Sequence, residues 1–386
     1  MGRFRDALGA PGLAAIAEVK RRSPSAGDLR PDADPAELAA GFERAGAAAV
    51  SILVDERFGG SFADLEAARA ATSLPLLAKG FFHDPAELAQ ANEAGADAVL
   101  LLLRDLDDRS AARLQAEARG LELDALVEAH DAGELRRAVE LGADPIGLNA
   151  RDLDSFRIDR RGALELVAAA PPERVIVAES GIAARAHGAA AELAGADAIL
   201  VGTALMRAAD PVGELADLIA RPLVKICGLT REEDVAVAAD AGADLAGFIL
   251  AAETPRRAPR VLPVPETMLS VAVYVGETGQ DGGDLVQLYA RDPSTGMRGR
   301  DGVLLRQGRQ VARVVDRAWE GADPGHLERA RAAKGRVVLA GGLSPENVGA
   351  AIDAVRPWAV DASSALEREP GIKDPERVRA FVEALR

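Results

Sequence analysis

Ala94-Gly-Ala-Asp-Ala-Val-Leu-Leu-Leu-Leu-Arg-Asp105 decides the fold, because near copies of it recur. They begin at Ala45 (AGAAAVSILVDE), Leu141 (LGADPIGLNARD), Ala194 (AGADAILVGTA) and Ala241 (AGADLAGFILAA), and each runs into an apolar stretch. The marker glycines Gly46, Gly95, Gly142, Gly195 and Gly242 are spaced 49, 47, 53 and 47 residues apart. Glycine just past a helix takes the left-handed cap conformation, and the apolar run after it suits a buried strand. One strand and one helix need roughly half that spacing, so each interval holds two βα units. Such a chain builds parallel sheet, most economically as α/β (β/α)8 TIM barrels. The fifth copy falls where a second barrel has to begin, so two barrels in tandem are expected.

Length agrees with this, since 386 residues suit one full barrel and a compact second one. The formal net charge of -15 argues against a nucleic-acid or anionic-membrane surface, while leaving room for local sites for small anions. Cys227 is the single cysteine, which rules out an intrachain disulfide and points to a reducing, cytoplasmic setting. Apolar runs such as Ala98–Leu103 are far short of the ~20 residues a membrane span needs. The chain opens Met-Gly-Arg-Phe-Arg-Asp, without an apolar signal region. None of His83, His130, His187 and His326 stands in a ligand-spaced pair, so neither a metal site nor a cofactor is expected. His130, close to Glu128, is expected to face solvent. A monomer or weak homo-oligomer acting on small phosphorylated molecules is the expected state.

Eight strand candidates fill the first part: Ala14–Val19, Ala48–Val54, Pro75–Ala78, Ala98–Leu103, Leu123–Val127, Pro145–Leu148, Arg174–Ala178 and Ala198–Val201. Helical stretches between them open with Asp-Pro signals, as at Pro35 and Pro85. A last helix from Pro211 runs into Arg221-Pro222 and then into Leu223–Ile226, which sets domains of 1–221 and 222–386. Further strand candidates are Leu245–Leu250, Leu269–Val275, Leu285–Leu288, Gly302–Leu305, Val311–Val315, Arg336–Leu339 and Ala359–Val360. The second domain has 165 residues, below the usual barrel minimum. Its helical signal fades between Tyr289 and Asp316, and Val303–Val311 reads as a hairpin. The second barrel is therefore expected to be abbreviated in its middle.

Working residues of such barrels lie at the C-terminal ends of strands. In the first domain those ends supply Glu18 and Lys20, Asp55, Lys79, Glu128, Asn149, Glu179 and Thr203. Glu18 and Lys20 share a strand face and can enter one mouth. Any one of these could simply be leaving the core; converging acids, an amide and two lysines suit proton transfer. The turns Glu179-Ser180-Gly181 and Gly202-Thr203 follow strands seven and eight, where phosphate is usually held in this fold. The second domain repeats the arrangement with Gly341-Gly342 and with Asp361-Ala-Ser363-Ser364.

The first domain resembles the indole-3-glycerol-phosphate synthase family. The resemblance rests on Ile16-Ala-Glu-Val-Lys-Arg-Arg-Ser-Pro-Ser25, Ser51–Asp55 followed by Phe58-Gly-Gly-Ser61, Leu77-Ala-Lys-Gly-Phe81, Leu126-Val-Glu-Ala-His-Asp131, Ile146–Leu153 and Val177-Ala-Glu-Ser-Gly-Ile182. It implies that Lys79 is the general acid and Glu128 the general base, with Glu18 assisting. Lys20 and Asn149 would hold the substrate carboxylate and hydroxyls, and Ser23, Gly181, Gly202 and Thr203 its phosphate. Phe58, Phe81 and Leu100 would pack the aromatic ring, with Arg151, Glu179 and Ser180 close by. The chain departs from the family at Gly80, where Asp is usual and whose loss takes one ion-pair partner from Lys79, and at Ala150 and Thr203. Only about a dozen residues precede the first strand, where the family carries an extension that helps close its site, so weaker substrate binding or catalysis is expected in this half.

The second domain resembles phosphoribosylanthranilate isomerase, through Val224-Lys-Ile-Cys-Gly-Leu-Thr-Arg231, Leu339–Val348 and Val355–Ser364. The resemblance implies Cys227 as the base that removes the C2 proton, and Asp316 is the candidate acid for the furanose ring oxygen. Arg256, in Thr254-Pro-Arg256, would bind the anthranilate carboxylate, and Gly341, Gly342, Asp361, Ser363 and Ser364 would line the substrate site. The Cys227 thiol is expected to be lowered by Lys225 and Arg256. The family's His after Val-Gln-Leu is Tyr289 here, its Gly-rich loop after the acid is missing, and about one βα unit is reduced. Another phosphate-binding barrel enzyme would want aspartates after strands one and five, or metal-binding histidines. A reading of the second domain as a phosphate-binding regulatory module also stays open.

Overall fold

The computed structural model describes residues 2–23, 27–152, 155–251, 254–279, 282–291, 294, 296, 298–317 and 323–385. Pro24, Ser25, Leu153 and the segment 318–322 after Asp316, where the isomerase family has its Gly-rich loop, lie outside these. Packing divides the chain into two units, Met1–Ala183 with His187–Ile219, and Ala184–Ala186 with Ala220–Arg386. Among the described residues no helix is long and apolar enough to cross a membrane.

The first unit is a closed, all-parallel barrel of β1 (Ala14–Val19), β2 (Ala49–Leu53), β3 (Leu76–Lys79), β4 (Ala98–Leu102), β5 (Asp124–Ala129), β6 (Ile146–Asn149), β7 (Ile176–Glu179) and β8 (Ala198–Val201). Closure comes from Ala14–Ala17 of β1 pairing with Ala198–Val201 of β8. The helices are α1 (Arg3–Leu8), α2 (Pro35–Ala45), α3 (Phe62–Ala71), α4 (Pro85–Glu93), α5 (Asp108–Gly120), α6 (Ala132–Glu140), α7 (Arg160–Ala169), α8 (Arg185–Ala194), α9 (Thr203–Arg207) and α10 (Pro211–Ile219). The Asp-Pro signals act as caps: Asp34 accepts from Ala36 N and Glu37 N, and Asp84 forms a capping box with Glu87. Inside the barrel, Ile16, Ala49, Leu77, Leu100, Leu126, Val177 and Leu200 form the filling. Phe4 and Leu8 of α1 join that cluster, fully buried. The residues before β1 thus plug the end of the barrel away from the mouth, and Asp124 receives Gly2 N at 3.2 Å and Arg5 N at 2.9 Å.

The recurring Gly-Ala-Asp has a physical meaning at that same end. Its glycine takes the left-handed region at the helix end, with φ of 92° at Gly95, 69° at Gly142 and 90° at Gly242. Its aspartate then accepts a backbone N–H that opens an adjacent strand. Asp97 takes Leu76 N at 2.8 Å, Asp144 takes Val175 N at 2.9 Å, Asp197 takes Ile176 N at 2.9 Å and Asp244 takes Val224 N at 2.7 Å. A β-strand starting inside a barrel has an N–H with no ladder partner, and the carboxylate supplies one.

The second unit is also a closed eight-stranded barrel, of β9 (Leu223–Cys227), β10 (Leu245–Ile249), β11 (Leu269–Val275), β12 (Leu285–Arg291), β13 (Arg298–Arg306), β14 (Arg309–Val315), β15 (Val337–Leu339) and β16 (Ala359–Ala362). Its helices are α11 (Glu232–Ala241), α12 (His326–Ala332), α13 (Val348–Val355) and α14 (Pro375–Glu383). All neighbours pair in parallel except β13, which runs antiparallel to both β12 and β14. The hairpin expected at Val303–Val311 is present: Arg306 pairs with Arg309 across Gln307 and Gly308, at φ 48° and 78°. Two consecutive left-handed residues make the turn whose twist matches paired strands. All eight expected strand positions are filled, and the abbreviation in the middle falls, among the described residues, on the helices between β10 and β14. A reversed strand needs only a tight turn to follow its neighbour, whereas a parallel one needs a crossover of a dozen residues or more. The reversed strand thus saves chain length at its two junctions.

Asp97→Ala would leave the Leu76 N–H unpaired at the buried start of β3. It should cost about 1–3 kcal/mol of stability, the usual penalty for an orphaned buried group, read as a lower urea midpoint with unchanged slope. An unchanged midpoint would show that the carboxylate does not register the strand.

Candidate active sites

The C-terminal ends of β1, β3, β5, β6 and β7 converge on one lysine. Lys79 Nζ lies 2.6 Å from Glu179 Oε2, 3.4 Å from Glu18 Oε2 and 3.8 Å from Glu128 Oε2. Lys20 Nζ bonds the other oxygen of Glu18 at 2.6 Å, and Asn149 Nδ2 donates to Glu128 Oε1 at 2.9 Å. All three carboxylates are buried. Burial alone would lower the Lys79 pKa; Glu179, Glu18 and Glu128 reverse this and hold it above its ordinary value, as the ammonium. Gly80 offers Lys79 no ion pair, as the sequence implies, and the three glutamates supply the partners that Lys79 has. Burial pushes every carboxyl of the cluster up. Lys20 and Lys79 bring Glu18 back below its usual range, and His130, Lys79 and Asn149 do the same for Glu128. Glu179 stays raised, because Lys79 does not offset both burial and the neighbouring Glu128. Among these acids Glu128 therefore carries its charge more firmly than Glu179.

The cluster floors a cavity of about 580 Å³. Phe58 and Phe81 line one side, their ring centroids 6.4 Å apart and nearly parallel, with Leu100 below them and the Arg57 guanidinium 4.0 Å from the centre of Phe81. Ser23, Ser180, Gly181, Gly202 and Thr203 line the cavity on the side of the β7 and β8 turns. Lys20, Asn149 and Arg151 also border it, and Arg151 N donates to Asn149 Oδ1 at 2.9 Å. Glu179 stands behind Lys79 and does not border the cavity. Two glycines make the packing possible. A Cβ on Gly147 would run into Glu179 Oε1, and one on Gly202 would run into Glu18 Oε1.

In the second barrel Cys227 ends β9 above a buried chain of polar groups. Lys225 Nζ bonds Asp361 Oδ2 at 2.7 Å and Gln287 Oε1 at 2.9 Å; Gln287 Nε2 donates to the Tyr289 hydroxyl at 2.8 Å. Tyr289 then donates to Asp316 Oδ2 at 2.9 Å, where Arg298 also arrives at 3.0 Å. Burial raises the Asp316 carboxyl; Arg298 and Tyr289 pull against this without cancelling it, which favours the acid form. Cys227, Arg256, Asp316, Gly341, Gly342, Asp361, Ser363 and Ser364 border one cavity of about 320 Å³. Arg256 is held by Glu367, its Nε 2.9 Å from Oε2. One expectation fails here. The Cys227 thiol is pushed up, not down: burial dominates, Asp361 adds to it, and Lys225 and Lys373 oppose it incompletely. The main opposing charges are Lys225 and Lys373, where Lys225 and Arg256 were expected.

Several residues of these sites escaped the sequence reading. His130 was expected to face solvent, yet its ring stands against Glu128 and its side chain is only 14 % exposed. Its place two residues after Glu128, where a strand leaves the core, was the available signal. Phe156 and Ile158, exposed apolar side chains, border the first cavity with Arg160 and Arg207. In the second, Arg291, which ends β12, and Arg298, which opens β13, border the cavity.

With its thiol raised, Cys227 should be alkylated by iodoacetamide slowly at pH 7, and the rate should climb past pH ~8.5, where an ordinary thiol is half ionised. As the only thiol, it can be followed by whole-chain mass. A rate that levels off below pH 8 would mean that Lys225 and Lys373 prevail.

Comparison with known proteins agrees with this geometry. The family model described as indole-3-glycerol phosphate synthase matches residues 3–218, and that described as N-(5'phosphoribosyl)anthranilate (PRA) isomerase matches residues 320–384. The chain is 45% identical over 214 residues to the indole-3-glycerol phosphate synthase of Rhodococcus opacus (strain B4), covering 55% of this chain and 80% of that one. It is 50% identical over 205 residues to the enzyme of that name from Nocardioides sp. (strain ATCC BAA-499 / JS614), covering 53% and 79%. Among solved structures, TrpF from Jonesia denitrificans is similar at 27% identity, covering 43% of this chain and 97% of that one, with a TM-score of 0.34. The chain belongs to the indole-3-glycerol phosphate synthase family, and its C-terminal barrel carries a phosphoribosylanthranilate isomerase domain.

Proposed function

We propose that the two barrels, as domains 1–221 and 222–386, perform consecutive steps of tryptophan biosynthesis. The C-terminal domain isomerises phosphoribosylanthranilate to 1-(2-carboxyphenylamino)-1-deoxyribulose 5-phosphate, and the N-terminal domain closes that product to indole-3-glycerol phosphate with loss of CO2 and water. The observation that carries the synthase reading is the Lys79 ammonium among three buried carboxylates, between an aromatic wall and the β7–β8 turns. In this reading the phosphate lies at Ser23, Gly181, Gly202 and Thr203, and the anthranilate ring lies against Phe58, Phe81 and Leu100. Lys20 and Asn149 hold the carboxylate and hydroxyls. Lys79 protonates the carbonyl oxygen as the ring carbon attacks it. After CO2 leaves, Glu128 and Lys79 manage the proton transfers that expel the hydroxyl as water, assisted by Glu18.

In the isomerase step, Asp316 gives its proton to the furanose ring oxygen and the ring opens to an iminium. The Cys227 thiolate removes the C2 proton, and the resulting enolamine tautomerises to the ketose. A thiol held above its ordinary pKa is ionised less often, but its thiolate is a stronger base, which suits a carbon acid. Arg256 takes the anthranilate carboxylate. Gly341, Gly342, Ser363 and Ser364 hold the phosphate.

The test supplies phosphoribosylanthranilate to the whole chain and follows indole-3-glycerol phosphate, then assays 1–221 and 222–386 separately. Lys79→Ala should lower synthase turnover by at least ~10²-fold while isomerase activity persists; near-normal turnover would remove Lys79 from the mechanism. Cys227→Ala should abolish isomerase activity and leave the thermal transition and product binding nearly unchanged. Wild-type 222–386 that binds the aminoketose phosphate without isomerising its precursor would make the second barrel a phosphate-binding regulatory module.

A further inference from the structure

His130 follows the last residue of β5 and precedes Asp131, the N-cap of α6. Its ring is wedged between two carboxylates. Nδ1 lies 3.1 Å from Glu134 Oε2 in the first turn of α6. Nε2 lies 3.1 Å from Glu128 Oε1, as an ion pair without the straight line of a hydrogen bond. Glu134 is fixed in turn, since its Oε2 also accepts His130 N at 2.8 Å. A carboxylate only accepts, so a neutral imidazole would present a lone pair to one of the two acids. The imidazolium is the form that satisfies both sides. Burial opposes that charge, but Glu128 and Glu134 outweigh it and the His130 pKa is pushed up to about 9.

The two oxygens of Glu128 are then unlike. Oε1 faces His130 Nε2 and accepts from Asn149 Nδ2 at 2.9 Å. Oε2 has no hydrogen-bond partner among the described residues and lies 3.8 Å from Lys79 Nζ. The charged groups around the pair are Glu134 on α6, Lys79 on β3, Glu179 on β7 and, across Lys79, Glu18 on β1. Glu128 borders the cavity and His130 does not. We propose that His130, clamped by Glu134, is a positioning residue of the synthase reaction, which keeps Glu128 ionised and holds its Oε1 so that Oε2 exchanges the proton. The proposal rests on the reading of Glu128 as the base. The imidazolium lies outside the cavity lining and acts through Glu128.

The test uses the full chain, whose four histidines give few ring signals to assign. The imidazole signal that vanishes in His130→Gln should titrate near pH 9 in the wild type and at lower pH in Glu134→Gln. A wild-type midpoint near the ordinary ~6.5 would overturn the clamp. In synthase assays His130→Gln should lower kcat between roughly tenfold and 10²-fold, the upper figure being what a 1 Å misplacement costs, with KM little changed. The acid limb of its kcat profile should move to higher pH, because Glu128 loses the cation that keeps it ionised. A profile that superimposes on the wild type, with Glu128→Gln inactive, overturns the role of His130 alone. Full turnover in Glu128→Gln overturns the base assignment and the proposal with it. Should His130→Gln not fold, Glu134→Gln carries the same test through the titration midpoint and the acid limb. The stability that His130 adds over His130→Gln should be complete below pH ~6.5 and fall away as pH rises through about 9, since its folded pKa is the raised one.

Discussion

Charge at the mouths is positioned by hydrogen bonds made at the opposite ends of the strands. A side chain at a strand terminus points where the strand's register sends it, and a slip of one residue would turn it to the other face. Asp97, Asp144, Asp197 and Asp244 each fix where an adjacent strand starts, by taking its first free N–H. In the first barrel Phe4 and Leu8 seal that end with apolar surface. Lys79 then leaves β3 level with Glu179 on β7 and Glu128 on β5, and the cluster forms without any loop having to carry it. Sites on rigid elements hold their geometry better than sites on loops.

Both sites solve the same electrostatic problem in the same way. A buried ammonium is costly unless acids surround it, and the acids are costly without it. Lys79 answers to three glutamates, and Lys225 to Asp361 and Gln287. Room for these bulky groups comes from glycine on a neighbouring strand or turn. Gly147 clears Glu179 and Gly202 clears Glu18; a Cβ on Gly247 would stand 2.7 Å from Cys227 Sγ and 3.0 Å from Lys225 Cε. The glycines in these stretches are therefore part of the charge arrangement as well as of the turns.

Much of this was legible in the residues themselves. The Gly-Ala-Asp repeat announced helix stops and buried strands, and strand ends announced Glu18, Lys20, Lys79, Glu128 and Asn149, because a period of two and a C-terminal position are local properties. What was not legible depended on partners distant in sequence. That Glu179 is the nearest acid to Lys79 turns on its Oε2 reaching the lysine from across the barrel, which the residue at position 80 does not reveal. His130 is a different case: its partners Glu128 and Glu134 are only two and four residues away, but spacing alone does not show that its ring turns between them. The sign of the Cys227 shift depends on a balance between burial and three charged partners, Lys225, Asp361 and Lys373, which no motif encodes.

The reversed strand β13 has a consequence for how the second barrel comes to be folded. Every pairing in the first barrel joins strands separated by a helix, or by the whole unit in the case of β1 with β8. In the second, β12, β13 and β14 pair through short connections, one of them the tight turn at Gln307-Gly308. Closing a short loop costs less chain entropy than closing a long one, and local pairing is the quicker kind to form. The meander thus gives this barrel three adjacent strands that can assemble before any crossover helix has docked. The stretch in which no helix lies among the described residues is the one whose strands pair most locally.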